Sequence, residues 1–146
     1  MNKENLNQFI KDKITEKIRN LENIISETRA SSNDTKSSMG DKYETGREML
    51  QQEINNLQIQ LNEVIKQRDF LKTISIKNSE KVEKGALVKT GKGLFYISVS
   101  LGELLFENQK IFCISPESPL AKAMNGKTKN DLFTVNNISQ TILEIR

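Results

Sequence analysis

Three acidic side chains stand where a chain of this kind could do chemistry: Asp41 and Glu44, three residues apart, and Asp34 a little earlier, in a polar stretch that also holds Lys36 and Lys42. A spacing of three at the start of a helix puts two side chains on one face about a turn apart, so both carboxylates can turn toward one cation. Mg²⁺ keeps most of its waters and takes one or two carboxylates from protein, so two solvated acids with Lys42 beside them bind it weakly by themselves. The structural reading of the same acids is capping, since carboxylates favour the positive N-terminal end of a helix. A second group is cationic. Lys81, Lys84, Lys89 and Lys92 form a basic stretch, which is either a solvated surface or a contact for something acidic. Gly91-Lys92-Gly93 imitates a phosphate loop, but that loop requires Gly-x-x-x-x-Gly-Lys-Ser/Thr, and here Ala86 replaces the first glycine and Gly93 the hydroxyl residue. It reads as a hairpin turn.

What is missing narrows the chemistry further. The 146 residues include no histidine and one cysteine, Cys113, so the commonest general base near neutrality, the commonest zinc ligand and any internal disulfide are excluded. Cys113 lies in an apolar strand and reads as a small core residue. The chain is not expected to be an enzyme. No apolar run approaches the roughly 20 residues that cross a bilayer, and the opening Met1-Asn2-Lys3-Glu4-Asn5 is polar, which predicts a cytoplasmic protein without a membrane partner. Net charge is +3, with 12 basic and 12 acidic residues over 1–75 against 10 and 7 over 76–146. The positive excess belongs wholly to the second half.

These side chains need elements to hold them. Leu6, Ile10, Ile14, Ile18, Leu21 and Ile25 recur by threes and fours, one face of a long amphipathic helix. The polar run Ala30 to Ser38 is expected to end it. Leu50, Ile54, Leu57, Leu61, Val64, Arg68 and Leu71 then follow a strict heptad, predicting a second helix from about Asp41 to Thr73, with Arg68 snorkelling from the seam. A polar break near the middle of 1–75 favours an antiparallel hairpin, tip about 31–44, over a parallel homodimeric coiled coil. After Ile76 the period changes. Strands are predicted at Ala86 to Thr90, Leu94 to Val99, Lys110 to Ile114, Asp131 to Val135 and Gln140 to Ile145. Between the third and fourth, Ser118 as cap, Pro119 at the first helical position and Gly126 past the last turn spell a short helix. The fold class is therefore α+β: a coiled-coil hairpin, 1–75, then a small antiparallel sheet domain, 76–146, with one covering helix. About seventy residues is close to the lower limit for one core, which Phe95, Phe106, Phe112, Phe133, Leu120 and Ile142 are expected to fill. With the seam and the sheet each self-sufficient, a monomer is expected.

A long hairpin followed by Ile114-Ser115, Ser118-Pro119-Leu120-Ala121-Lys122-Ala123-Met124, Gly126-Lys127, Asp131-Leu132-Phe133 and the closing strand Thr141 to Ile145 resembles the Gre transcript-cleavage factors of bacterial transcription. The match in order and spacing covers about 85–145. The resemblance implies an FKBP-like sheet domain that docks at the rim of RNA polymerase's secondary channel while the hairpin tip reaches toward the catalytic Mg²⁺. There the tip carboxylates help hold a second Mg²⁺, shared with the polymerase and not bound tightly by the factor alone, and the polymerase cleaves the 3′ end of backtracked RNA. A two-metal site stabilises both attacking and leaving oxygens. The partner-binding residues it implies are Ser118, Pro119, Leu120, Lys122 and Lys127, with Lys89 and Lys92 from the basic stretch. The family's tip reads Asp-x-x-Glu-Asn-Ala-Glu-Tyr, then Ala-Arg-Glu. Asp41-Lys42-Tyr43-Glu44 matches its acidic core, with Thr45-Gly46 where Asn-Ala belongs. A second register aligns Tyr43 and Arg47-Glu48 with the family's Tyr and Arg-Glu; its acidic pair falls on Lys36 and Met39 unless a longer loop hands the role to Asp34 or Asp41. Related channel binders without the acidic pair inhibit instead, which is the alternative function. Prolyl isomerase activity is disfavoured because the aromatic cup it needs is thin here, with no Trp. A coiled-coil chaperone is disfavoured because the tip is polar where client binding wants apolar groups.

Overall fold

The computed structural model describes residues 1–36 and 44–146, the side chains of 32–36 and 44–45 excepted. Two long helices come first, α1 (Lys3–Lys36) and α2 (Glu44–Leu71). The polar run from Ala30 does not stop α1, which continues through Ser31 and Ser32 to Lys36. Serine and asparagine weaken a helix without breaking it, and neither Gly nor Pro intervenes. At 1.5 Å per residue its 34 residues measure about 51 Å. Asn2 starts it, its side-chain Oδ1 accepting from the N–H groups of Glu4 (2.8 Å) and Asn5 (3.2 Å), two of the donors that a helix start leaves unsatisfied.

Contacts divide the chain into two units, Lys11–Arg68 and the combination of Met1–Ile10 with Asp69–Arg146. In the first, the hairpin unit, Ile14, Ile18 and Ile25 of α1 and Ile54, Leu61 and Val64 of α2 are buried, which is the seam that the three-and-four spacing requires. The outer face is solvated. It is stiffened by side-chain hydrogen bonds one turn apart, Gln51 to Asn55 (3.0 Å) and Gln58 to Asn62 (3.1 Å).

The sheet unit holds β1 (Leu87–Thr90), β2 (Gly93–Ile97), β3 (Gly102–Phe106), β4 (Gln109–Ile114), the short helix α3 (Pro119–Met124), β5 (Leu132–Val135) and β6 (Ile138–Ile145). The sheet order is β3-β4-β2-β1-β6-β5. Four neighbouring pairs are antiparallel, but β2 and β4 run parallel, Leu94 beside Ile111 and Ile97 beside Ile114. This departs from the all-antiparallel expectation. The cause is β3, a strand not anticipated: the chain leaves β2 for the sheet edge, turns at Glu107-Asn108, and returns as β4 in the slot between. Both residues of that turn have positive φ (51° and 62°), as do Asn136 (53°) and Asn137 (64°) between β5 and β6, the pattern of two-residue hairpins whose twist matches the strands.

One face of the sheet carries α3. Ala121 and Met124 close over Val88, Phe95, Ile97, Phe133 and Ile142, and Phe95 stacks on Phe112 with centroids 5.5 Å apart. Phe106 lies elsewhere. Its ring meets Phe9 at 5.1 Å, because the other face is covered by the first turns of α1: Leu6 and Ile10 are fully buried, and Tyr96, which alternates with Phe95, donates its hydroxyl to Asn7 Oδ1.

Candidate functional site

The tip acids divide by position. Asp41 lies outside the described residues; Asp34 is in the last turns of α1 and Glu44 opens α2. Among the described residues no three of Cys, Asp and Glu converge as a metal cluster.

The segment matching the Gre pattern is built around α3, and its residues first do structural work. Ser115 begins it, its Oγ accepting from the Glu117 N–H (3.0 Å) and its carbonyl from the Ser118 N–H (3.0 Å). Ser118 is the N-cap, Oγ accepting from the Ala121 N–H (3.2 Å), with Pro119 at the first helical position, where its missing N–H costs nothing. Leu120 is half-buried against the core. Gly126 ends the helix at φ 78° and donates to the Val82 carbonyl (2.8 Å), while Val82 N–H donates to the Lys127 carbonyl (2.8 Å). Asp131 closes the loop. Its carboxylate accepts from both the backbone N–H (2.8 Å) and the hydroxyl (3.0 Å) of Thr128, and these bonds, helped by nearby Lys127, hold its pKa below the usual carboxylate value.

Of the basic candidates, Lys122 reaches Glu117 at 3.7 Å in an exposed pair and Lys127 is half-buried just past α3. Lys92 sits in the β1–β2 turn, its N–H bonded to Thr90 Oγ1 (3.1 Å). Lys89 alternates with Val88, whose side chain belongs to the α3 core, so it is on the opposite face. Ser118, Pro119, Leu120, Lys122 and Lys127 thus gather at α3, and Lys89 is separated from them by the sheet.

Sequence reasoning missed what lies under the first turns of α1. Lys3 is buried and donates to the carbonyls of Lys77 (2.7 Å) and Arg146 (3.2 Å); burial lowers its pKa, with Glu83 acting against that. Burial, with Cys113 adding to it, raises the Tyr96 phenol well above its ordinary range, and the Asn7 bond opposes the shift. The Cys113 thiol, also buried, is pushed up to about 12, with Ser98 opposing. It is no nucleophile. A polar residue such as Lys3 or Asn7 gives no hint in sequence that its partner lies some seventy or more positions away.

No family model matches the chain, and no curated protein matches it. Solved structures do. The crystal structure of GreA factor homolog 1 (Gfh1) of Thermus thermophilus is 14% identical, covering 93% of this chain and 94% of that one, with a TM-score of 0.39. A structure titled for the transcription factor Gfh1 is 16% identical, covers 92% of both chains and scores 0.38. Thermus aquaticus Gfh1 is 16% identical, with 92% of both covered and a score of 0.36. The chain is thus similar, at this distance, to structures named for a GreA factor homolog.

Proposed function

We propose that this chain is a transcription factor of the Gre kind that binds RNA polymerase at its secondary channel, the sheet unit anchoring it at the rim and the hairpin tip directed to the active site. What supports the reading is that the segment from Ile114 to Phe133, which carries the resemblance, forms one connected piece: Ser118 caps α3, Gly126 ends it and Asp131 fastens the return. The chain itself performs no catalysis. Asp41 and Glu44, with Asp34 as the alternative, are the residues that would hold a Mg²⁺ shared with the polymerase, and that ion would supply stabilisation of the oxygens in RNA cleavage. The factor acts as a monomer in the cytoplasm and meets the RNA 3′ end only indirectly.

One observation favours a second reading. Thr45-Gly46 replace the Asn-Ala of the Gre tip, and Lys36 and Lys42 flank the acids; a tip with less negative potential suits a factor that occupies the channel without promoting cleavage. The deciding experiment adds the protein to a stalled polymerase and follows transcript length. Cleavage that Asp41→Ala/Glu44→Ala abolishes while binding persists establishes the first reading. Slower elongation without cleavage establishes the second, and no retention by polymerase rejects both.

A further inference from the structure

The sequence contains one Asn-Gly step, Asn125-Gly126, and it stands at the end of α3. Such a step can modify itself. The backbone nitrogen of the glycine, uncrowded because no Cβ stands beside it, attacks the asparagine side-chain carbon Cγ. A Cγ–N bond forms, the Cγ–Nδ2 bond breaks, and ammonia leaves with the proton that the backbone nitrogen gave up. Water then opens the five-membered imide at one of its two carbonyls. Opening at Cγ gives aspartate. Opening at the main-chain carbonyl gives isoaspartate, whose main chain runs through Cβ and Cγ and is one methylene longer. The balance is one amide and one water consumed, one carboxylate and one ammonium ion produced.

Asn125 and Gly126 are exposed, so water and hydroxide reach them, but their backbone is fixed. Asn125 has φ −53° and ψ 128°. At that ψ the bond to the Gly126 nitrogen is turned away from the side of Cα that carries Cβ, so the nitrogen and Cγ do not meet. The proton on that nitrogen is engaged as well: Gly126 N–H donates to the Val82 carbonyl at 2.8 Å, and Val82 N–H donates to the Lys127 carbonyl at 2.8 Å. Val82 and Met124 are both buried in the α3 core, and the Met124 carbonyl accepts from Lys127 N–H at 2.9 Å. Attack therefore requires rotation about the Asn125 ψ and loss of the bond from Gly126 to Val82, which is a local opening. We infer that Asn125 is a deamidation site held shut by the end of α3, reacting in proportion to the population in which that end is open. The product bears on the fold. Met124 is anchored in the core and Gly126 on Val82, so a methylene added between them breaks one attachment or the other and loosens α3. This inference is independent of the polymerase reading.

The test incubates the full chain in warm, mildly alkaline buffer, folded or in guanidinium chloride, and follows the mass gain of amide-to-acid conversion in the peptide that holds Asn125. The denatured chain should convert about tenfold faster than the folded one, or more. In the folded chain Met124→Ala, which truncates a fully buried side chain of α3, should accelerate conversion about tenfold. Ser118→Ala, which removes the cap at the other end of the same helix, should accelerate it about fivefold. Ile59→Ala, on the exposed face of α2, should leave it unchanged. Circular dichroism checks that each variant is folded; if Met124→Ala is not, Ser118→Ala decides. Equal rates in the folded and denatured chains, no conversion in either, or a Ser118→Ala rate equal to that of the wild type overturns the inference. A last arm isolates the isoaspartate product and refolds it. Its thermal midpoint should be lower by about 3 °C or more, and an unchanged midpoint overturns the consequence drawn for α3.

Discussion

The hairpin unit and the sheet unit are stabilised by different kinds of information. Among the described residues of the hairpin unit the buried positions follow a local period: Ile14, Ile18 and Ile25 belong to the three-and-four spacing of the first helix and Ile54, Leu61 and Val64 to the heptad of the second. The sheet unit depends on partners far apart in the chain: Val82 meets Lys127 and Gly126, Thr90 Oγ1 meets Gln140 at 3.0 Å, and Tyr96 meets Asn7 across 89 positions. Local patterning tolerates single changes on its outer face, whereas a closed non-local core has few neighbours able to shift into a gap.

The sharpest way to break this contrast is a pair of truncations. Ile142→Ala removes a fully buried side chain from the α3 core and should cost about 2–5 kcal/mol, while Ile59→Ala, at a position 61% exposed on α2, should change stability by less than about 0.5 kcal/mol. Urea unfolding followed by circular dichroism measures both, and equal midpoints would end the comparison. Leu6→Ala sharpens it. Leu6 is on the long helix but is fully buried in the unit that holds the sheet, so a loss of about 2–5 kcal/mol should appear in the hydrogen exchange of β1 and β2 amides. Loss confined to amides of the hairpin unit would show that α1 belongs energetically to the hairpin throughout.

Gly85→Ala should be next in size. Gly85 has φ +90°, and an added Cβ would lie 2.9 Å from the Ser75 carbonyl oxygen, so strain and collision together should cost about 1–3 kcal/mol; an unchanged thermal midpoint would refute it. Ser118→Ala removes one capping acceptor from a six-residue helix and should cost about 1 kcal/mol, restored by Ser118→Asp. The smallest effect is pH dependence. The Asp131 pKa is lowered in the folded chain, so its contribution is present above the unfolded carboxylate pKa and disappears as pH falls through the folded one. Cys113 has the opposite sign. Its pKa is raised to about 12, so its contribution is intact below the unfolded thiol pKa and is lost as pH rises from there through the folded value, and the native thiol should resist alkylation at pH 8. Asp131→Asn should flatten the acid limb of a stability profile and leave the alkaline limb unchanged.

Several features were legible in the amino-acid order because they are matters of spacing or local backbone preference. The two helices follow from apolar positions three and four apart. The short helix follows from a capping serine, a proline that gives up no hydrogen bond at its position, and a glycine free to take positive φ. The strands around Val88, Phe95, Phe112, Phe133 and Ile142 follow from alternation and β-rich composition. The tertiary structure decided the rest. Strand β3 is a short run, Gly102–Phe106, with no β-branched residue, and only its pairing with β4 makes it a strand; that same insertion turns the β2–β4 contact parallel. The sheet's second face needed a cover, and Met1–Ile10 supply it, since an exposed face holding Tyr96, Ile111 and Cys113 costs more than burying Lys3 with two carbonyl partners. Lys89 illustrates the boundary between the two kinds of information: alternation alone puts it opposite Val88, but its place beside Glu144 and near Arg146 exists only because the last strand returns to pair with the first.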